Sequence, residues 1–267
     1  MHSEDMDRIV NEYTLPASGP MTTSSIPSSG APALPLDAYD RRFYGGMAVL
    51  IAMIVFVGFS PSFYLAPAFH RATPPPLRIV HGVMFSSWIV LFAVQTALIT
   101  TGRVRWHMRL GIAGAVLAAG MVGIGSVVAV LAARAGHAAP GIDPLVFMAV
   151  PLFDMVVFTA LVASAVYLRR RPQTHKRLML LATASLVGAA AARLPLSYHI
   201  AGVPLFYAFG VVDALILMAV LYDVVTRHRV HPAYVWGGLL IVVSEPLRLA
   251  VGGTQLWRAF ARFLIGL

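Results

Sequence analysis

Cysteine is absent from this 267-residue chain. No disulfide, thiolate metal site or thioether-linked haem can form without it. Charge is scarce too. Only 12% of residues are Asp, Glu, Lys or Arg, about half of what a water-soluble chain carries. Only five acidic residues follow position 40. No HExxH, Walker A, GxSxG or zinc-ribbon pattern occurs, so no enzyme class announces itself by motif.

Apolar side chains dominate instead, at 58% of the chain with a mean hydropathy of +0.78. They fall into seven blocks, about 44–60, 78–101, 108–133, 145–168, 177–194, 203–225 and 233–251, parted by short Arg- and Pro-rich breaks. Roughly 20 residues of α-helix cross a bilayer core. In lipid every backbone N–H and C=O must find its partner within its own segment, so these blocks are helices. The expected fold is all-α, a polytopic transmembrane bundle over 41–252 with the lipid bilayer as its partner. Seven spans are expected, with six as the alternative. Pro61 is expected to break the first helix, so that 60–65 bends along the outer surface. The seventh block contains Glu245, Pro246 and Arg248. Glu245 and Arg248 are three residues apart and are expected to neutralise each other on one face. A re-entrant or surface-lying segment is the other reading of that block. Over 253–267, Trp257, Phe260, Phe263 and Leu264 alternate with Arg258 and Arg262, as in an amphipathic helix at a membrane surface.

The net charge of +9 does not point to nucleic acid, because of where it lies. Residues 1–40 carry Arg8 against Glu4, Asp5, Asp7, Glu12, Asp37 and Asp40, a balance of −5. They are rich in Ser, Thr, Pro and Gly and lack apolar periodicity, so they read as a disordered acidic tail and not as a secretory signal. The bases cluster at the block ends, where lipid head groups and topology account for them. With the N-terminus in the cytoplasm, twelve Arg and Lys fall inside and four outside. The inner set runs from Arg41 through Arg103, Arg109 and Arg177 to Arg229; the outer set is Arg71, Arg78, Arg134 and Arg193. The positive-inside rule therefore predicts a cytoplasmic N-terminus, and an odd number of spans an external C-terminus. His228 and His231 fall in a basic inner loop and are expected to be solvated.

Polar residues inside the blocks are the candidates for function. His81, Trp88 and Gln95 recur every seven residues in the second block and form one stripe, which should face the bundle. In the third block His107, Gly111, Gly114, Ala118, Met121 and Gly125 share a face on which small residues admit a close neighbour or a flat ligand. His175 and Arg193 share a face of the fifth block at opposite membrane sides. Asp154 and Asp213 lie near mid-membrane.

Three stretches carry a resemblance. They are Gly102-Arg103 with His107-Met108-Arg109-Leu110-Gly111; His175-Lys176-Arg177-Leu178-Met179-Leu180-Leu181-Ala182-Thr183; and Pro246-Leu247-Arg248 with Thr254 and Trp257. Together, over about 42–264, they resemble an uncharacterised family of bacterial multi-pass inner-membrane proteins. That family is loosely similar to oxidase-assembly membrane proteins and to four-helix dihaem cytochromes b. The cytochrome likeness implies b-type haem. His81 and His199 would be axial ligands toward the outside, and His107 and His175 toward the inside. Arg78 and Arg193 outside, and Arg103, Arg109 and Arg177 inside, would meet propionates. Electron transfer or oxidase assembly, with a redox or assembly partner, would then be the role. The residues leave other readings open. Asp154, Asp213 and Arg193 suit a proton-coupled transporter. His81, His199 and Asp154 or Asp213 converging near the outer side would suit a zinc-dependent intramembrane hydrolase. The polar groups also suit a structural protein whose helices they hold together.

Overall fold

A computed structural model describes residues 38–196 and 204–266. Those residues are helical, with no strand among them. The long helices are α1 (Ala38–Phe59), α2 (Pro76–Thr100), α3 (Val104–Arg134), α4 (Ala149–Tyr167), α5 (Pro172–Ser185), α6 (Pro204–Arg227), α7 (Pro232–Gly252) and α8 (Gln255–Ile265). Proline opens α2, α5, α6 and α7, at the position where a missing N–H is harmless. Six segments are long and apolar enough to cross a membrane: Ala38–Tyr64, Pro76–Thr100, Val104–Arg134, Pro144–Tyr167, Leu205–Arg227 and Pro232–Gly252.

Two boundaries differ from expectation. The acidic tail was expected to reach residue 40, but α1 begins at Ala38, and Asp40 is only 3% exposed. The rest of the tail lies outside the described residues. Pro61 does not end the first helix. The chain widens into a π-helical turn over Ser60–Tyr64 and leaves the helical path only at Leu65. A wider turn absorbs the missing proline N–H without a sharp bend. Ser60 Oγ donates to the Phe56 carbonyl at 2.6 Å.

The fifth apolar block forms no single helix long enough to cross a bilayer core. It is split into α5 and a further helical turn over Gly188–Ala191. It is nevertheless the middle of the molecule. α1, α2, α3, α4, α7 and α6 pack side by side in that order, and Phe43 of α1 stacks on Tyr222 of α6 at 3.9 Å to close the ring. α5 stands inside. It packs on α4, α6 and α7, and meets α1 through Lys176, α2 through Thr183 and α3 through His175. Arg177, Leu180, Ala182 and Thr183 are each 1% exposed or less. A helix enclosed by protein needs no apolar surface, because its polar groups find partners on its neighbours.

Lys176 meets Asp40 at one end of α1, while Ala190 lies against Gly58 at the other. Eighteen residues of α1 separate these contacts, about 27 Å of helix. A Cβ on Gly58 would collide with the Ala190 carbonyl oxygen, so glycine is required for that approach. The end holding Asp40, Lys176 and Arg227 is called the basic end below, and the opposite one the far end.

α8 returns to the far end. Thr254 caps it by accepting from the Trp257 N–H at 3.2 Å, and Trp257 Nε1 donates to the Leu145 carbonyl at 2.7 Å. Ala261 and Ile265 are buried against the bundle, while Leu256 and Phe263 are 83% and 77% exposed.

Candidate functional site

Four groups of polar residues lie inside the bundle or at its ends. The first is an ionic network at the basic end. Arg177 donates through Nε to Asp223 Oδ2 at 2.9 Å and through Nη2 to Asp223 Oδ1. Its Nη1 donates to the carbonyl and the side-chain oxygen of Gln173, both at 2.9 Å. Both partners of the pair are 0% exposed. Beside them Asp40 accepts from Lys176 at 2.6 Å, from Tyr222 at 2.7 Å and from Arg227 at 2.8 and 2.9 Å. This network joins α1, α5 and α6. It also corrects the expectation for Arg177, whose donors are occupied by Asp223 and Gln173 and are not free to meet a propionate.

His231 belongs to the same network and is not a solvated loop residue. Its Nδ1 accepts from the Ala233 N–H at 3.1 Å, capping α7, and its own N–H donates to Asp223 Oδ2 at 3.1 Å. Burial lowers its pKa from the ordinary 6.5, helped by Arg177, Arg227 and Lys176 and opposed by Asp223. The folded state therefore binds fewer protons here than the unfolded one. The stabilisation is complete above the ordinary value and is lost as the pH falls below it. We expect the melting temperature in detergent to fall on acidification through about pH 6.5, and to fall less in His231→Asn, since Asn also caps helices. Equal acid sensitivity in the two proteins would remove His231 as a cause.

The second group is a histidine pair, also at the basic end. His107 on α3 and His175 on α5 adjoin edge to face, with ring centres 6.2 Å apart and planes at 84°. His175 Nδ1 lies 2.8 Å from the Ala165 carbonyl oxygen. A carbonyl only accepts, so Nδ1 carries the proton, and in the neutral ring Nε2 holds a free lone pair. Metal-bound histidines are oriented by the same kind of bond. His107 Nδ1 is buried and lacks a hydrogen-bond partner among the described residues. Gln95 Nε2 donates to the His107 carbonyl at 3.2 Å, while Gln95 Oε1 is buried without a partner. Two unsatisfied polar atoms thus lie on the facing turns of α2 and α3, a place where a ligand or ordered water is normally found.

The surroundings of this pair are mixed. Most of the small-residue face of α3 is filled. A Cβ on Gly114 would meet Leu91, and one on Gly125 would meet Met155 and Phe85. Gly111, one turn from His107, is looser, with only Gln95 Nε2 at 3.6 Å. An apolar groove of about 270 Å³, lined by Val94, Leu98, Arg103, Trp106 and Leu110, opens on the turn of α3 that carries His107. Arg109 is exposed at the same end, its guanidinium 5.5 Å above the Trp106 ring.

The third group lies in the far half. Arg248 Nη1 donates to Asp154 Oδ1 at 2.6 Å, and its other described hydrogen bonds go to Ser244, at 2.7 and 3.2 Å. The expected Glu245–Arg248 pair is therefore not formed. Spacing along one helix lost to a carboxylate on the neighbouring α4. Asp213 on α6 has a buried Oδ1 without a partner.

The fourth group is at the far end. His81 stacks on Phe85 at 4.2 Å, and Arg193 lies over Phe59 at 4.7 Å while donating to the Ala189 carbonyl. Trp88, between His81 and Gln95 on the stripe, is buried and donates to Thr183 Oγ1 at 3.3 Å. Arg78 is exposed. His199 lies outside the described residues. Among the described residues no group of three or more His, Asp or Glu side chains is placed to hold a metal ion, so the zinc arrangement finds no support there.

Sequence reasoning passed over Asp223 and Tyr222, placed Lys176 only among the bases at the block ends, and took Asp40 for part of the tail. One signal was present: Asp223 sits inside an apolar block four residues before Arg227. Comparison with protein-family models, with curated proteins and with solved structures gave no match in any of the three.

Proposed function

We infer that this chain is a bacterial inner-membrane protein of seven spans, N-terminus inside, holding one b-type haem between His107 and His175 for electron transfer. The histidine geometry carries the reading. An Fe–N bond to imidazole is about 2 Å, and a ring centre lies about 1.1 Å beyond its nitrogen. Two axial rings on one iron therefore have centres about 6 Å apart. The observed separation is 6.2 Å. A b-type haem held by these two histidines would supply one-electron chemistry. His175 supplies a lone pair fixed in direction by Ala165. Arg103 and Arg109, both exposed at this end, would offer propionates charged donors. His199, the expected partner of His81, lies outside the described residues, so the proposal is confined to the inner pair. The resemblance drawn from the sequence also implied His107 and His175 as the inner pair of ligands.

The test is absorption. Protein made with haem supplied and purified in mild detergent should show a Soret band, which sharpens and shifts on reduction, at one haem per chain. A colourless protein under those conditions overturns the reading and leaves a bundle whose histidines only pack.

Seven spans rest on separate support. The fifth block reaches from Asp40 to Gly58 along α1, the full height of a neighbour that is long enough to cross. Topology reporters should therefore read cytoplasmic in the breaks near 102, 170 and 229 and external near 72 and 139. A reporter after residue 266 should read external. A cytoplasmic C-terminus means an even number of crossings.

A further inference from the structure

One face of α2 is left open by the bundle. Trp88, Ile89 and Phe92 are buried, while Val83, Val90 and Val94 on the opposite side are exposed. Only 17% of the apolar stretch of α2 and 22% of that of α3 is buried, against 33–44% in the other four spanning segments. The open face is not flat. Toward the far end the π-helical turn brings Phe63 and Tyr64 onto α2. The Phe63 ring occupies the space that a Cβ on Gly82 would need, and the Tyr64 hydroxyl and Ser86 Oγ share a hydrogen bond of 2.7 Å. These side chains wall a groove of about 540 Å³ that runs along α2 from Val83 to Val94.

The groove of about 270 Å³ at the basic end shares Val94 and Leu110 with it, so the two adjoin. Together they follow Val83, Val90, Val94 and Leu98 over fifteen residues of α2, about 22 Å of helix. Half of a bilayer's hydrocarbon core is about 15 Å thick, so one extended lipid chain fits within that length. The two ends differ in character. Toward the far end Tyr64 and Ser86 satisfy each other. At the basic end Arg103 and Trp106 line the groove, and Arg103, Arg105 and Arg109 are all exposed. No described ion pair engages any of the three. No Asp or Glu occurs between Asp40 and Asp143, so neither α2 nor α3 supplies a counter-charge. Arginine and tryptophan at the rim of an apolar surface are suited to lipid head groups.

We propose that the groove along α2 and α3 holds one chain of an anionic phospholipid, with the lipid phosphate at Arg103 and the chain running toward Phe63. The phosphate oxygens accept hydrogen bonds from the guanidinium and supply the anion that the chain itself lacks there. A zwitterionic lipid brings the same chain but carries its own cation, so it is held less firmly. The inference needs the membrane spans, and neither the haem nor the orientation. A colourless protein would keep the groove, and in a haem protein Arg109 remains for the propionates.

Native mass spectrometry tests it on the full chain, stripped of lipid in detergent and titrated with dioleoyl phosphatidylglycerol or with the phosphatidylcholine of the same chains. Wild-type protein should retain one phosphatidylglycerol at concentrations where it retains no phosphatidylcholine. Arg103→Gln should weaken that retention about fivefold. Val94→Trp, which fills the groove where its two parts meet, should abolish it. Leu217→Trp, at an exposed position on α6, should leave it unchanged. Equal retention of the two lipids, or no effect of Arg103→Gln, overturns the charged end. Loss in both tryptophan variants, or in neither, overturns the groove. Displacement of the lipid by inorganic phosphate alone overturns the part given to the chain. A phosphatidylglycerol with a photoreactive diazirine in its chain needs no variant to fold. Its crosslinks should fall on residues 83–98 and Leu110, and crosslinks spread over all the spans overturn the site.

Discussion

Asp223→Ala is expected to leave little folded protein. Asp223 is 0% exposed and accepts two hydrogen bonds from Arg177, which is also 0% exposed, and one from the His231 N–H. Three bases, Lys176, Arg177 and Arg227, surround two acids, Asp40 and Asp223. Removing one acid leaves a guanidinium in the protein interior with a surplus of like charge beside it. Breaking a buried pair in this way costs about 3–5 kcal/mol, a large share of the roughly 5–15 kcal/mol that holds a domain together. The contrast lies in the double variant. Arg177→Met with Asp223→Leu removes both charges, fills similar volume and should recover most of the loss. Reversible unfolding in mixed micelles measures both. A single variant within about 1 kcal/mol of wild type would show that Arg177 reaches water or lipid head groups after all.

If a haem is held as proposed, His175→Leu and His107→Leu are each expected to abolish the spectrum of an iron bound by two histidines, while His81→Leu keeps it. Leucine offers no lone pair to replace imidazole, so each variant would leave a single histidine to hold the group. His175 has a further role in packing, since its Nδ1–H bonds Ala165 across the α4–α5 turn. The His175 variant should therefore lose some thermal stability as well, and the His107 variant less, because no partner is lost at its Nδ1. Spectra of equal intensity in His107→Leu and wild type would exclude the inner pair as ligands. Loss with His81→Leu alone would move the cofactor to the far end.

Helix positions were legible because lipid imposes one rule on every segment, and apolar runs broken by Arg and Pro obey it openly. Six of the seven blocks correspond to α1–α4, α6 and α7 with ends displaced by at most six residues, and the fifth is divided between α5 and the turn over Gly188–Ala191. Side-chain pairing was less legible, because partners lie far apart along the chain. Arg248 looked paired with Glu245 on its own helix, yet its partner Asp154 is 94 residues away. Arg177 looked like a surface base, and its partner is 46 residues downstream. Asp40 looked like the last charge of an acidic tail, and it anchors three helices. The inner histidines stood out because two ring side chains at matching depth are rare in apolar sequence. Their separation came only from the arrangement of α3 around α5.

Enclosure of α5 has a consequence for how the chain is made. Gln173, His175, Lys176 and Arg177 fill its first turns, so the segment has little tendency to leave the translocation channel for lipid by itself. When α5 emerges from the ribosome, Asp223 has not yet been synthesised. On the orientation proposed above, Arg177 would then wait at the membrane surface or beside the channel until α6 arrives. Insertion of the central helix would be a late event that requires its downstream neighbour, and chains truncated before residue 223 should present the fifth segment to proteases added on that side.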